Sequence, residues 1–227
     1  MNSVYLSPGD HRPTPTVVTN HVWLLLAVAT ALSLLLLVAS QFLLIHDELY
    51  FNAFSDQLAY EQIQDMLTQQ QRWSWLPYVL IPLLMAIKFT LVSSCVSLGY
   101  YFTTNEWSFK PFFRIAIQAE FVLLIPSLVK LLWFLFVQTD YTLNDLQLFY
   151  PLSLLNLFES ATVESYLLYP LQVLNLFEVA YWFALAYGVA RVMNASLERG
   201  FGLVMASYGS GLALWVVFIM FLTVSLA

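Results

Sequence analysis

The stretch VWLLLAVATALSLLLLVASQFLLI, from Val22 to Ile45, carries no charged side chain along its whole length. An α-helix needs about 20 mostly apolar residues to cross the hydrocarbon core of a bilayer. The stretch therefore predicts a first membrane span, 22–45. A cleaved signal peptide is the alternative, but its apolar region usually covers only about 7–15 residues, so we favour an uncleaved anchor.

The rest of the chain continues this pattern. Its composition is 60% hydrophobic and only 10% charged, whereas a soluble domain carries about 25% charged residues. Further apolar stretches of spanning length run over 76–101, 112–137, 169–192 and 201–226. The sequence thus predicts an all-α, polytopic transmembrane helix bundle with about five spans.

The segments between these stretches define the domain organisation. Residues 1–21 read as a flexible cytoplasmic N-terminus, and 46–75 as an extracytoplasmic loop. Helical spacing of apolar residues in that loop predicts a helix, either lying on the membrane surface or packed on the bundle. Residues 76–227 form a four-span bundle. Within it, 141–168 is a partial insertion, re-entrant or interfacial, because its apolar piece Leu146–Phe158 is too short to cross.

The distribution of basic residues predicts the orientation. Five of them share one side in a five-span chain, and only Arg72 lies in a loop on the other side. The five are Arg12, Lys110, Arg114, Arg191 and Arg199. The positive-inside rule then places the N-terminus in the cytoplasm and the C-terminus outside. The short form of the chain favours a bacterial inner membrane.

An internal repeat precedes and enters the fourth span. The sequence YPLSLLNLFE at 150–159 returns as YPLQVLNLFE at 169–178, with eight of ten positions identical. Proline suits the first turn of a helix, so each copy is expected to begin one. Each copy also places an Asn and a Glu on one helix face, Asn156 with Glu159 and Asn175 with Glu178. The copies either pack as a re-entrant pair that forms a substrate site or preserve a packing motif.

Ionisable residues within the spans are the candidate functional residues, since charges are costly at membrane depth. We group four of them with the neutral amide of Asn175 as one intramembrane polar site, consisting of Lys88, Glu120, Lys130, Asn175 and Glu178. If the second and third spans run antiparallel, Lys88 and Glu120 reach similar depth and are expected to pair. The pair is either part of a proton or ion relay or a structural ion pair.

Small residues recur every four positions in the last span. Gly202, Ala206 and Ser210 form the ladder, with Gly211 beside it. Such ladders let helix backbones approach closely. We expect the ladder to pack against another helix of this chain, with a second subunit as the alternative.

Catalytic and metal-binding motifs are absent from the sequence. All three histidines precede residue 47, so Ser210 has no histidine base at membrane depth. His46-Asp47-Glu48 reads as a solvated span end rather than a metal site, and Cys95 is the single cysteine. We therefore expect no enzyme activity, no cofactor and no metal. The absence of a basic run argues against nucleic acid as a partner.

Three short patterns recur among the later spans: WSFKPFFR at 107–114, LNLFEVAY at 174–181, and the turn RGFG at 199–202. On these patterns, the chain from Leu76 onward resembles the Yip family of five-span membrane proteins. The resemblance implies a non-enzymatic membrane scaffold or accessory subunit.

Two functions remain open at this point. The first is a scaffold or permease-like accessory subunit in a transport or trafficking assembly, whose partners are the lipid bilayer and other membrane subunits or further copies of itself. The alternative is a small ion- or proton-coupled transporter that uses intramembrane carboxylates. A hydrated cavity around Glu120 and Glu178 with a path to one side would favour transport, and a dry, paired carboxylate would favour architecture.

Overall fold

A computed structural model describes residues 22–159 and 162–226. The predicted flexible N-terminus, 1–21, lies outside the described residues. Within the described part, five helical segments are long and apolar enough to cross a membrane. The predicted all-α helical bundle is therefore confirmed, and its five segments suit an integral membrane protein.

The helices of the described residues follow one another in this order: α1 Val22–Leu44, α2 Asp47–Phe54, α3 Tyr60–Arg72, α4 Leu76–Thr104, α5 Lys110–Phe136, α6 Leu143–Leu148, a 3₁₀ helix Leu154–Leu157, α7 Ser165–Val173, α8 Leu176–Met193, α9 Leu197–Val204, a π-helical turn Met205–Gly209 and α10 Ser210–Leu226. Helix α9, the π-helical turn and α10 form one continuous last span, Leu197–Leu226. The five spans are thus α1, α4, α5, α8 and this last span.

Helix α5 lies at the centre of the bundle and packs against α1, α4 and α8. Its residues Ala116 and Ile117 are fully buried, as are Phe89 of α4 and Tyr181 of α8. The outward faces remain strongly apolar, with Leu214 of α10 73% exposed. Such a surface would be costly in water but is solvated by lipid, which explains why the spans are apolar all round.

Short turns join the spans on one side of the bundle. Asn105 directly follows α4 and Asn194 directly follows α8, and both adopt the left-handed conformation that closes a helix C-terminus. After the second turn, α9 packs directly on α8: a Cβ at Gly200 would lie 2.5 Å from the carbonyl oxygen of Ala186. We call this the turn side, and the opposite side, which holds 45–75, 137–159 and 162–175, the loop side.

The loop at 46–75 contains two helices, α2 and α3, which pack against each other. Ile63 and Leu67 of α3 are buried. Trp73 and Trp75 are about half exposed, with stacked rings, just before the start of α4. Exposed tryptophans at a span end suit the headgroup level of a membrane.

The fourth span differs from its prediction. It was expected over 169–192, but the structure breaks this stretch into α7 and α8, and only α8 is a spanning helix. The expected proline starts are also wrong. Pro151 lies in a turn and Pro170 lies inside α7, whereas α8 begins with Asn175 as its N-cap. An Asn side chain can hold a free backbone N–H at a helix start, which proline cannot do.

The small-residue ladder of the last span also differs from its prediction. Gly202, Ala206 and Ser210 are exposed, and a Cβ at Gly202 would have no neighbour within 4 Å. The stripe that packs within the chain lies one residue further along. A Cβ at Gly99 of α4 would meet Ser207, and one at Gly211 would lie 3.4 Å from Cys95. The four-residue spacing indicated a small-residue face but did not determine which of two adjacent stripes meets the neighbouring helix.

Candidate functional site

The expected contact between Lys88 and Glu120 is present. The Nζ atom of Lys88 in α4 donates a hydrogen bond of 2.8 Å to Oε1 of Glu120 in α5 and lies 2.8 Å from Oε2. Glu120 is buried, whereas the Lys88 side chain is 38% exposed. Glu120 lies ten residues into α5, about 15 Å along the helix axis, so the pair lies well inside the spans.

Glu178 lies close to this pair but is held by neutral groups. Its Oε1 atom accepts hydrogen bonds from Trp182 Nε1 at 2.9 Å and from Tyr208 Oη at 2.8 Å. Trp182 is one helical turn along α8, and Tyr208 comes from the π-helical turn of the last span. Glu178 is only 8% exposed. A buried carboxylate with hydrogen-bond donors but no cation in direct contact is free to exchange a proton or to bind a cation.

The break between α7 and α8 is closed by one side chain, Asn175. Its Oδ1 atom accepts from the backbone N–H of Glu178 at 2.8 Å. Its Nδ2 atom donates to the carbonyls of Gln172 at 3.0 Å and Val173 at 2.9 Å. Asn175 thus serves the last turn of α7 and the first turn of α8 together, and it places Glu178 within the bundle.

The two copies of the repeat contact each other through their backbones. The N–H of Leu154 donates to the carbonyl of Leu174 at 2.9 Å, and the N–H of Leu176 donates to that of Leu152 at 3.2 Å. These bonds form an isolated antiparallel bridge between Ser153 and Asn175. The first copy is therefore hydrogen-bonded to the second copy at the break between α7 and α8.

A cavity of about 920 Å³ opens at these residues, between α4, α5, the two repeat copies and the last span. Its size falls in the range of small-molecule sites. Both carboxylates and Lys88 line it. The other polar side chains in its wall are those of Tyr150, Tyr169, Gln172, Asn175, Tyr208 and Trp215. Glu120 and Glu178 thus line the same cavity, together with Lys88.

Buried oxygens beside the cavity lack partners. Within the described residues, Tyr181 Oη and Ser153 Oγ have no hydrogen-bond partner, and Oε2 of Glu120 has only its ionic contact with Lys88. Buried polar atoms are nearly always hydrogen-bonded, so these oxygens are exceptions among the described residues.

Tyr150, which the sequence did not single out, lies where the first repeat copy meets the cavity. Burial raises the pKa of Tyr150 to about 12, and the negative charges of Glu178 and Glu120 add to this effect. The phenol is therefore protonated at neutral pH and remains a hydrogen-bond donor. Tyr150 lines the same cavity as both carboxylates.

The structure separates Lys130 from the site in which the sequence grouped it. Its Nζ atom donates to the carbonyl of Leu146, and the residue lines a second cavity of about 360 Å³ beside α1 and α6. Glu120 and Lys130 are ten residues apart on one helix, which places them at different depths. The repeat counterparts Asn156 and Glu159 are exposed and do not line the larger cavity.

These features define the class of the molecule: an all-α helical bundle, suited to a membrane, with a charged cavity among its spans. Searches against family models, curated proteins and solved structures find no match for this chain. In residues 22–159 and 162–226, no group of three or more His, Cys, Asp or Glu side chains is placed to hold a metal ion.

Proposed function

We propose that the protein is a small proton-coupled membrane transporter whose substrate binds in the cavity between α4, α5, α8 and the last span. The observation that carries this proposal is the position of Glu120 and Glu178 in one cavity at membrane depth. Ionisable groups there are costly and are retained mainly on ion or substrate pathways. The break between α7 and α8 lies at the cavity, and helices broken in this way are a frequent feature of transporter binding sites.

The two carboxylates have different roles in this proposal. Glu120 is neutralised by Lys88, so the pair contributes a fixed dipole to the wall. Glu178 has only the neutral donors Trp182 and Tyr208. Glu178 is therefore the group that takes up and releases the coupled proton. The ion pair of Glu120 and Lys88 sets the electrostatic environment of Glu178.

We propose an orientation with the turn side in the cytoplasm. Lys110, Arg114, Arg191 and Arg199 lie in or near the turns that join α4 to α5 and α8 to α9. Positive charge in short loops favours the cytoplasmic side. The cavity, which lies towards the loop side of the bundle, would then open in the outer half of a bacterial inner membrane.

Proton flux in proteoliposomes tests the transport proposal. The full chain is reconstituted with an internal pH dye, and inorganic cations, organic cations, amino acids and organic acids are added outside in turn. We expect one class to drive proton movement, and Glu120→Gln and Glu178→Gln each to reduce that flux by at least about ten-fold. Glu159→Gln is the matched control, because it changes the same residue of the other repeat copy, which is exposed.

The two outcomes of this experiment are distinct. Unchanged flux in both cavity variants, with reconstituted wild-type protein active, would show that the carboxylates do not couple transport. The absence of any solute-driven proton flux would overturn the transport proposal itself. Circular dichroism and gel filtration of each variant establish that a lost flux does not reflect a lost fold.

A scaffold or accessory subunit is the second candidate, and the exposed ladder of Gly202, Ala206 and Ser210 favours it. The open space at Gly202 would admit the backbone of another helix. Membership of the Yip family, which stays a prediction, also implies this role. We expect the protein to self-associate in detergent or to recover partners from native membranes. A stable monomer that recovers none would contradict this function.

A further inference from the structure

The cavity has an apolar mouth on the side of the bundle. Helix α4 and the last span touch at Cys95 and Gly211 and enclose the cavity between them on the loop side of that contact. On each edge of the mouth are side chains that line the cavity and are also about half exposed or more. These edges are Leu84, Ile87 and Leu91 on α4, and Leu214, Trp215 and Phe218 on α10. Because both edges are parts of spans, the mouth faces the acyl chains of one leaflet rather than water.

The inner end of the cavity carries an excess of negative charge. Its formal charges are one ammonium, on Lys88, and two carboxylates, on Glu120 and Glu178. Lys88 lies 2.8 Å from both oxygens of Glu120, so that pair is internally neutral. Glu178 receives bonds at Oε1 only, and none of the hydrogen bonds within the described residues reaches its Oε2. One uncompensated carboxylate in a medium of low dielectric attracts a positive charge strongly.

Aromatic rings surround the space between the mouth and the carboxylate. Tyr150, Tyr169, Tyr208 and Trp215 line it. The hydrogen bond from Trp215 to Tyr169, at 2.9 Å, ties α10 to α7 and fixes two of these rings. Aromatic faces stabilise cations, more so where water is excluded, and they also accept an apolar body.

We propose that the cavity binds a monovalent organic cation with a large apolar body, which enters from the membrane through the mouth between α4 and α10. This inference rests on the proposed transport function and names its substrate class. The positive centre lies against Glu178, and the apolar body lies against the aromatic and leucine wall. A neutral apolar solute would leave the carboxylate unpaired, and an anion would be repelled by it.

The same geometry couples binding of the cation to release of a proton. Glu178 holds either one proton or one cation, so binding of the cation releases the proton, and the charge of the cavity is unchanged. The other titratable groups that line the cavity with Glu178 are Lys88 and Cys95 on α4, Glu120 on α5, Tyr150 in the first repeat copy, Tyr169 on α7 and Tyr208 in the π-helical turn. Tyr181 on α8 lies against Lys88 and Tyr208. Glu178 is the carboxylate among them that has no cationic partner.

A pair of ions of the same shape and opposite charge tests this inference. The full chain is placed in phosphatidylcholine nanodiscs, and equilibrium binding of radiolabelled tetraphenylphosphonium is measured against empty nanodiscs. Tetraphenylborate is measured in the same way. We expect saturable binding of the phosphonium alone, with an affinity that falls as the pH is lowered because the proton competes for Glu178.

Two variants assign the binding to Glu178. Glu178→Gln keeps an oxygen for Trp182 and Tyr208 but removes the charge, so we expect the affinity to fall by at least about ten-fold and its pH dependence to disappear. Glu159→Gln is expected to change neither. Glu178→Asp keeps the charge and is expected to retain the pH dependence, which separates lost charge from lost packing.

Three results would overturn the inference: no saturable phosphonium binding, equal binding of tetraphenylborate, or wild-type binding by Glu178→Gln. These results are distinct from failure of the transport function. Phosphonium binding without any solute-driven proton flux would leave the ligand class in place and remove transport. Proton flux driven by other solutes, without phosphonium binding, would leave the transport function in place and remove the ligand class.

Discussion

Lys88→Met is expected to lower the free energy of unfolding by about 3 kcal/mol, since it leaves the carboxylate of Glu120 buried without its cation. Removing one partner of a buried ion pair costs about 3–5 kcal/mol, because the remaining charge keeps its desolvation cost and loses its attraction. The partial exposure of Lys88 places the expected loss at the lower end. Unfolding in mixed micelles, followed by helical circular dichroism, measures it.

Two further variants test this reasoning. Lys88→Met combined with Glu120→Gln removes both charges, so we expect most of the lost stability to return, as a double-mutant cycle would show. Lys130→Met removes a lysine whose hydrogen bond among the described residues goes to a backbone carbonyl, and we expect it to lower the free energy of unfolding by clearly less than Lys88→Met does. If Lys88→Met were as stable as the wild type, or if the double variant were the least stable, the carboxylate of Glu120 would not depend on Lys88 for its stability in the buried state.

The spans and the ion pair could be predicted because each depends on quantities that the sequence carries directly. The length and apolarity of a stretch determine whether it can cross, and α1, α4 and α5 match their expected bounds to within about three residues. The pairing of Lys88 with Glu120 follows from equal depth in antiparallel neighbours at a rise of about 1.5 Å per residue. Neither inference needs side-chain packing.

The break in the fourth span could not be found in this way. Hydropathy is continuous across the boundary between Val173 and Leu176, and Pro170 gave a plausible but wrong helix start. The break depends on the bridge from the first repeat copy, between Ser153 and Asn175. That contact joins positions far apart in the sequence, so no local pattern indicates it.

The wall of the cavity was predicted only in part. The sequence pointed to Lys88, Glu120, Asn175 and Glu178 because charges and amides are rare within apolar spans. Tyr208 and the other tyrosines gave no such signal, since tyrosine is frequent at membrane interfaces. Tyr208 reaches Glu178 from the π-helical turn, whose position depends on the close contact between α4 and the last span.

Asn175→Leu is expected to lower the free energy of unfolding by about 2–4 kcal/mol. The amide of Asn175 bonds three backbone groups around the break: the N–H of Glu178 and the carbonyls of Gln172 and Val173. An N-cap contributes about 0.5–2 kcal/mol, and each buried group left without a partner costs about 1–3 kcal/mol. Asn175→Ser keeps a capping oxygen but no amide donor, and we expect an intermediate loss in the same unfolding experiment.

The repeat supplies an internal control for this prediction. Asn156 occupies the same place in the first copy, but its side chain is exposed and donates one bond, to the carbonyl of Tyr150 at 2.7 Å. Water can replace that bond, so Asn156→Leu should cost less than about 1 kcal/mol. Equal losses at both positions would mean that the duplicated sequence itself stabilises the fold. A loss confined to Asn175 would mean that two nearly identical segments differ because only one of them is buried beside the cavity, where its asparagine holds Glu178 in place.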